Sequence, residues 1–206
     1  MPPLIPNNNY FQDKYPINSS RWQGYDYSSN GLYFITICTR QRRSYFGKVK
    51  NGIMGLSPIG VIVCKEWFKT EKIRKNVRLG EFIIMPNHLH VIIEIIGNNA
   101  GETKNIGTDV ETLRRNVFTN AGEKDVNWQM SQISPKPGSL SAIVRSFKSA
   151  CAREIHLSGY KYFSWQPRFY DHVLKINADS LDKISYYIKY NPRMWDKDRN
   201  NPVNIK

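Results

Sequence analysis

Two of the four histidines in the chain stand one residue apart in Met85-Pro-Asn-His-Leu-His-Val-Ile-Ile-Glu-Ile95, at the mouth of an otherwise apolar run. Successive side chains of a β-strand alternate faces, so His88 and His90 share one face while Leu89 takes the other. Two imidazoles on one face are a ready pair of metal ligands. The same pattern also occurs as two hydrogen-bonded histidines, and a metal needs a third donor. A second cluster lies near the C-terminus, where Ser180-Leu-Asp-Lys-Ile-Ser-Tyr-Tyr-Ile-Lys-Tyr190 carries three phenols, Tyr186, Tyr187 and Tyr190. Each is an oxygen nucleophile in principle, and their chemistry alone does not choose among them.

The elements that must position these groups follow from the pattern around them. Residues 31–39, GLYFITICT, form a β-rich run, and the polar Arg40-Gln-Arg-Arg43 breaks it. Ser57 and Pro58 suit the cap and first position of a helix in which Ile59, Val63 and Trp67 recur at helical spacing, with Ile62 and Phe68 widening the stripe. Residues 80–85 and 88–96 are two β-like runs joined by a Pro-Asn turn. Residues 139–155 form an amphipathic helix with Leu140, Ile143, Val144 and Phe147 on one side and basic residues on the rest. A strand is expected from Phe169 onward, and a last helix over 180–190 is ended by Asn191-Pro192. The order β, α, ββ, α, β, α predicts an α+β fold, with helices packed on one face of a largely antiparallel sheet and a terminal helix added.

The chain's 206 residues, 40% of them hydrophobic, suit one sizeable core. Residues 1–20, rich in Pro and Asn, read as an N-terminal arm, and 21–206 as one domain. The polar stretch 97–138 is too long for an ordinary connection and reads as a flexible insertion. Cys38, Cys64 and Cys151 lie far apart with no Cys-x-x-Cys, which argues against disulfides and a zinc cluster and fits a reducing, cytoplasmic setting. No apolar run approaches the roughly 20 residues that span a bilayer, so no membrane partner is expected. Thirty Lys and Arg against 17 Asp and Glu give a net charge of +13, a field that attracts polyanions, of which nucleic acid is the commonest in cells. Residues 21–80 concentrate it, with 12 basic and 3 acidic side chains.

Four blocks together resemble one family. MPNHLHVII at 85–93, SLSAIVRSFKSA at 139–150, WQPRFYDHV at 165–173 and YIKYNP at 187–192 resemble, in order and spacing, the REP-associated tyrosine transposases among the single-tyrosine HUH enzymes. That resemblance implies a ferredoxin-like (RRM-like) catalytic core over roughly residues 30–195 and metal-dependent cleavage and rejoining of single-stranded, hairpin-associated DNA. It implies that His88 and His90 are metal ligands, that Tyr187 is the nucleophile, and that Asn191 supplies a third, amide-type ligand; the i to i+4 spacing of Tyr187 and Asn191 puts both on one helix face. The expected cofactor is Mg2+ or Mn2+, and the expected assembly is a monomer or a homodimer, nucleoid-associated when bound to DNA. Arg40, Arg42, Arg43, Arg145, Lys148 and Arg168 are candidate phosphate contacts. The competing reading is a non-cleaving nucleic-acid-binding module on the same fold; a small metallohydrolase is weaker, because no carboxylate stands next to the histidines.

Overall fold

The computed structural model describes residues 24–96, 134–174 and 178–204, together with a short antiparallel pair, β1 (Tyr10–Phe11) and β2 (Tyr15–Pro16). The rest of the expected N-terminal arm, and residues 97–133 of the expected insertion, lie outside the described residues.

Four strands make the central sheet: β3 (Gly31–Cys38), β6 (Val77–Ile84), β7 (His88–Ile95) and β8 (Tyr170–Leu174). They lie in the order β6-β7-β3-β8, and every neighbouring pair is antiparallel. The turn between β6 and β7 is closed by Met85, whose backbone N–H donates to the His88 carbonyl at 2.8 Å. A second hairpin, β4 (Gly47–Lys50) and β5 (Ile53–Leu56), stands apart from the sheet and leads into α1 (Pro58–Lys72). That hairpin was not expected from the sequence.

Helix α1 begins as its residues predict. The Ser57 side chain accepts from the Gly60 N–H at 3.1 Å, and Pro58 takes the first position. Gly60 is required there, because a Cβ would stand 2.3 Å from the Phe46 carbonyl oxygen. Ile59, Val63 and Trp67 point into the core, whereas Phe68 stays half exposed and packs edge-on against Phe82. Helix α2 (Leu140–Leu157) is capped by Ser139 and buries Leu140, Ile143, Val144, Phe147, Cys151 and Ile155. These two helices cover one face of the sheet, meeting Tyr33, Ile35, Ile37, Leu89, Val91, Ile93 and Ile95. Helix α3 (Ala178–Tyr190) covers the opposite face, where Ile184, Ile188 and Leu181 pack with Ile92, Leu174, Leu32 and Phe34. The architecture is the expected α+β, ferredoxin-like sheet; the terminal helix lies on the side away from α1 and α2. Among the described residues no helix is long and apolar enough to cross a membrane.

Candidate metal and tyrosine site

Strand alternation places the two histidines. Along β7 the odd residues Leu89, Val91, Ile93 and Ile95 enter the core under α1 and α2, which sends His88, His90 and Ile92 to the α3 face. His88 and His90 are 0% and 1% exposed. Their Nε2 atoms stand 3.1 Å apart. The other ring nitrogens are engaged: His88 Nδ1 lies 2.8 Å from Asn87 Oδ1, and His90 Nδ1 lies 2.8 Å from the Thr36 hydroxyl. Phe34 stacks on the His90 ring at 5.3 Å, and the Trp195 ring flanks His88 at 6.1 Å. Both imidazoles are thus held on edge with one nitrogen each turned to a shared point.

Helix α3 brings the tyrosine. Ile184 and Ile188 seat the helix on the sheet, and Tyr187, beside Ile188, turns its hydroxyl to within 3.2 Å of His90 Nε2. Tyr186 and Tyr190 do otherwise: their rings pack against each other at 4.2 Å, with the Arg193 guanidinium 5.2 Å over Tyr190. Of the three phenols that chemistry could not separate, the geometry sets Tyr187 against the histidines. Asn191, where the helix gives way to a 3-10 segment (Asn191–Lys197), lies beside Tyr187 and lowers the pKa of its hydroxyl. Its Oδ1 is buried with no hydrogen-bond partner.

A carboxylate that the sequence reading missed completes the group. Asp198 follows the 3-10 segment, and its Oδ2 stands 3.7 Å from His88 Nε2. One donor atom from each of His88, His90 and Asp198 falls within 4.8 Å of the others, and all three residues are buried. The Asn-rich tail fixes that carboxylate. The Asn200 N–H donates to Asp198 Oδ1, Asn201 Nδ2 to the Trp195 carbonyl, and Asn204 Nδ2 to the carbonyls of Asp196 and Asp198. No sequence signal singles out Asp198, because Asp196 stands two residues away in a segment without periodicity.

The electrostatics favour neutral nitrogen donors. Burial, reinforced by the Arg199 and Arg42 charges, holds the His88 pKa down to about 3; burial and the neighbouring His88 do the same for His90, against the pull of Asp198. The imidazoles keep their lone pairs at neutral pH. Burial and then the Asp198 charge hold the Tyr187 phenol above its ordinary value, opposed by the Asn191 amide and the Arg199 charge. Two imidazole nitrogens and a carboxylate form a mixed donor set that fits a divalent cation.

The basic candidates divide. Arg40 and Arg43 are exposed and, with Gln41, Tyr45, Tyr162 and Ser164, line a cavity of about 260 Å3. Tyr162 is 90% exposed. Arg42 instead donates to the Arg199 carbonyl at 2.9 Å, tying the 40–43 turn to the tail. Lys148 donates to the carbonyls of Gln166 and Arg168, and burial brings its pKa down to about 8. Arg145 and Arg168 are exposed, Arg168 in a left-handed backbone conformation (φ 61°). Trp165 belongs to the core, its ring among Phe46, Phe147 and Phe163 and its N–H donating to the Lys148 carbonyl. The β3–β8 register puts His172 across from Phe34, on the face of the site, and Asp171 across from Ile35, on the other.

No family model matches the chain. The fold is that of a REP-associated tyrosine transposase solved bound to a REP hairpin: the likeness has a TM-score of 0.50 at 19% identity, over 85% of this chain and 73% of that one. That likeness is one of fold. At the level of sequence, an uncharacterized protein of Haemophilus influenzae is 32% identical over 181 residues, 88% of this chain and 91% of the relative. The chain belongs to one family with that protein.

Proposed function

We propose that the chain is a metal-dependent single-tyrosine HUH transposase that cleaves and rejoins hairpin-associated single-stranded DNA, residues 21–206 being its catalytic unit. The observation that carries this reading is the Tyr187 hydroxyl, 3.2 Å from a histidine nitrogen in a buried cluster of metal-type donors. His88, His90, Asn191 and Asp198 would hold the cation, Mg2+ or Mn2+. Such a cation, when bound, polarises a phosphate and stabilises the leaving 3′ oxygen.

The chain's own residues do the rest. Tyr187 Oη attacks phosphorus and the P–O3′ bond breaks: the upstream fragment leaves with a 3′-OH, which takes up, net, the proton the phenol loses, and the downstream fragment stays linked to the tyrosine through its 5′ phosphate; a 3′-OH later reverses the exchange, so no nucleotide hydrolysis is needed. Asn191 and the Ile184–Ile188 contact with the sheet aim the phenol, whose 44% exposure leaves it open to a strand. Packing by Phe34 and Trp195 limits water around the histidines. Arg40 and Arg43 offer phosphate contacts beside Tyr162, a ring free for base stacking.

The test is incubation of 3′-labelled hairpin oligonucleotides with the protein and Mn2+ or Mg2+, read by denaturing electrophoresis. A labelled protein-DNA adduct that EDTA abolishes is the expected result. Tight binding with no adduct under either metal would contradict it and identify a non-cleaving binder on the same fold.

A further inference from the structure

The two histidines are buttressed by unlike groups. His90 faces the Thr36 hydroxyl, which can donate or accept, so that contact leaves open which nitrogen of His90 carries the proton. His88 faces the side chain of Asn87, which is 0% exposed and bonded on all sides. One terminus of that amide lies 2.9 Å from the Arg42 carbonyl and 2.7 Å from the Asn200 carbonyl. Two carbonyl oxygens accept only, so that terminus must be the NH2, and both its hydrogens are used. The oxygen must then face His88, and an oxygen only accepts. His88 Nδ1 is therefore the N–H, and its Nε2 carries the lone pair.

We propose that Asn87 is a positioning residue that locks His88 in the tautomer able to bind a metal, through two backbone carbonyls supplied by the 40–43 turn and the C-terminal tail. The backbone of the turn supports this. Gln41 and Arg42 are both left-handed, with φ of 55° and 52°, a conformation strained for a residue with a side chain. Thr39 anchors both ends of the arrangement, its N–H donating to the Asn87 carbonyl and its hydroxyl contacting the carbonyls of Arg43 and Asn87. The strained turn thus has an identifiable product: the Arg42 carbonyl aimed at the Asn87 amide. The tail contributes twice, with Asp198 beside His88 Nε2 and the Asn200 carbonyl behind Asn87.

The inference rests on the metal reading of the site, and its test separates the two. Two-bond 1H–15N spectra of the metal-free protein report each histidine's tautomer; free Mn2+, counted by electron paramagnetic resonance, reports affinity for the metal alone. In the wild type His88 is expected with hydrogen on Nδ1 only. Asn87→Ala should mix its tautomers and weaken Mn2+ binding by about 10–100-fold. Asn87→Asp keeps an acceptor for His88 while losing donors to the carbonyls, so it should retain the tautomer and show faster amide exchange at 199–201. A purely structural Asn87 would affect both variants alike and leave the His88 tautomer unchanged. A hydrogen on Nε2 of His88 in the wild type would overturn the proposal, and if Asn87→Ala does not fold, that spectrum and Asn87→Asp still decide it. Failure of the wild type to bind Mn2+ would overturn the metal reading on which the proposal rests, with the tautomer result showing which of the two had failed.

Discussion

The two faces of the central sheet are written in alternate residues of the same strands, and they have opposite chemistry. On the α1 and α2 side, β3 and β7 present Tyr33, Ile35, Ile37, Leu89, Val91 and Ile93, all 0% exposed, and Trp67 closes edge-on against Phe147 at 5.2 Å. On the α3 side the intervening positions are Thr36, His88 and His90, also buried but polar, with Ile92 at the helix contact and Phe34 between that contact and the His90 ring. The first face gains its stability from packing. The second buries donors whose lone pairs converge, an arrangement that favours a ligand over stability. Stability and chemistry are thus separable by a single-residue step along one strand.

The largest expected contrast comes from substitutions that act on chemistry alone. Tyr187→Phe removes one oxygen from a half-exposed side chain, so the DNA adduct should vanish while the urea midpoint stays within the effect of a surface change, about 0.5 kcal/mol. The reciprocal change is Trp67→Ala on the dry face. It should cost about 3–5 kcal/mol by urea denaturation, and any remaining folded fraction should still form adduct.

Acid should act on the polar face selectively. His88 and His90 stay neutral in the fold down to about pH 3, whereas unfolded imidazoles take up a proton below about 6.5. The unfolded chain therefore binds more protons in that window, and the stability present above pH 6.5 is lost as the pH falls toward 3. Between pH 7 and 5 the loss should be about 2 kcal/mol for each histidine, measured by urea melts. The double substitution His88→Gln, His90→Gln should flatten that slope; an unchanged slope would refute the assignment. The smallest effect is expected outside both faces. Arg43→Ala should weaken single-strand binding by about 1 kcal/mol and lower its salt dependence by roughly one phosphate contact, measured by titration at several salt concentrations.

Much of this contrast was legible in the sequence, for physical reasons that differ by residue. Period-two alternation alone put His88 and His90 together, and helical periodicity with Ser and Pro at the start defined α1. Tyr187 needed the resemblance, because three phenols on one helix are chemically alike until the helix is seated on a sheet. The β4–β5 hairpin had a signal that went unused: Asn51-Gly52, both left-handed at φ 51° and 72°, is a common two-residue hairpin turn. Asp198 and the Asn87 tether had none, since they depend on a tail folding back through amide-to-carbonyl bonds between residues more than a hundred positions apart. Lys148 shows the converse limit: its charge suggested a phosphate contact, while its position directs the amine to two carbonyls.

The central claim is that the tyrosine on the polar face, and not its neighbours, is the nucleophile. Proteolysis of the metal-dependent protein-DNA adduct, followed by mass spectrometry of the nucleotide-bearing peptide, tests it most directly. The phosphodiester should map to Tyr187. A map to Tyr186 or Tyr190, or an adduct that survives in Tyr187→Phe, would contradict the account.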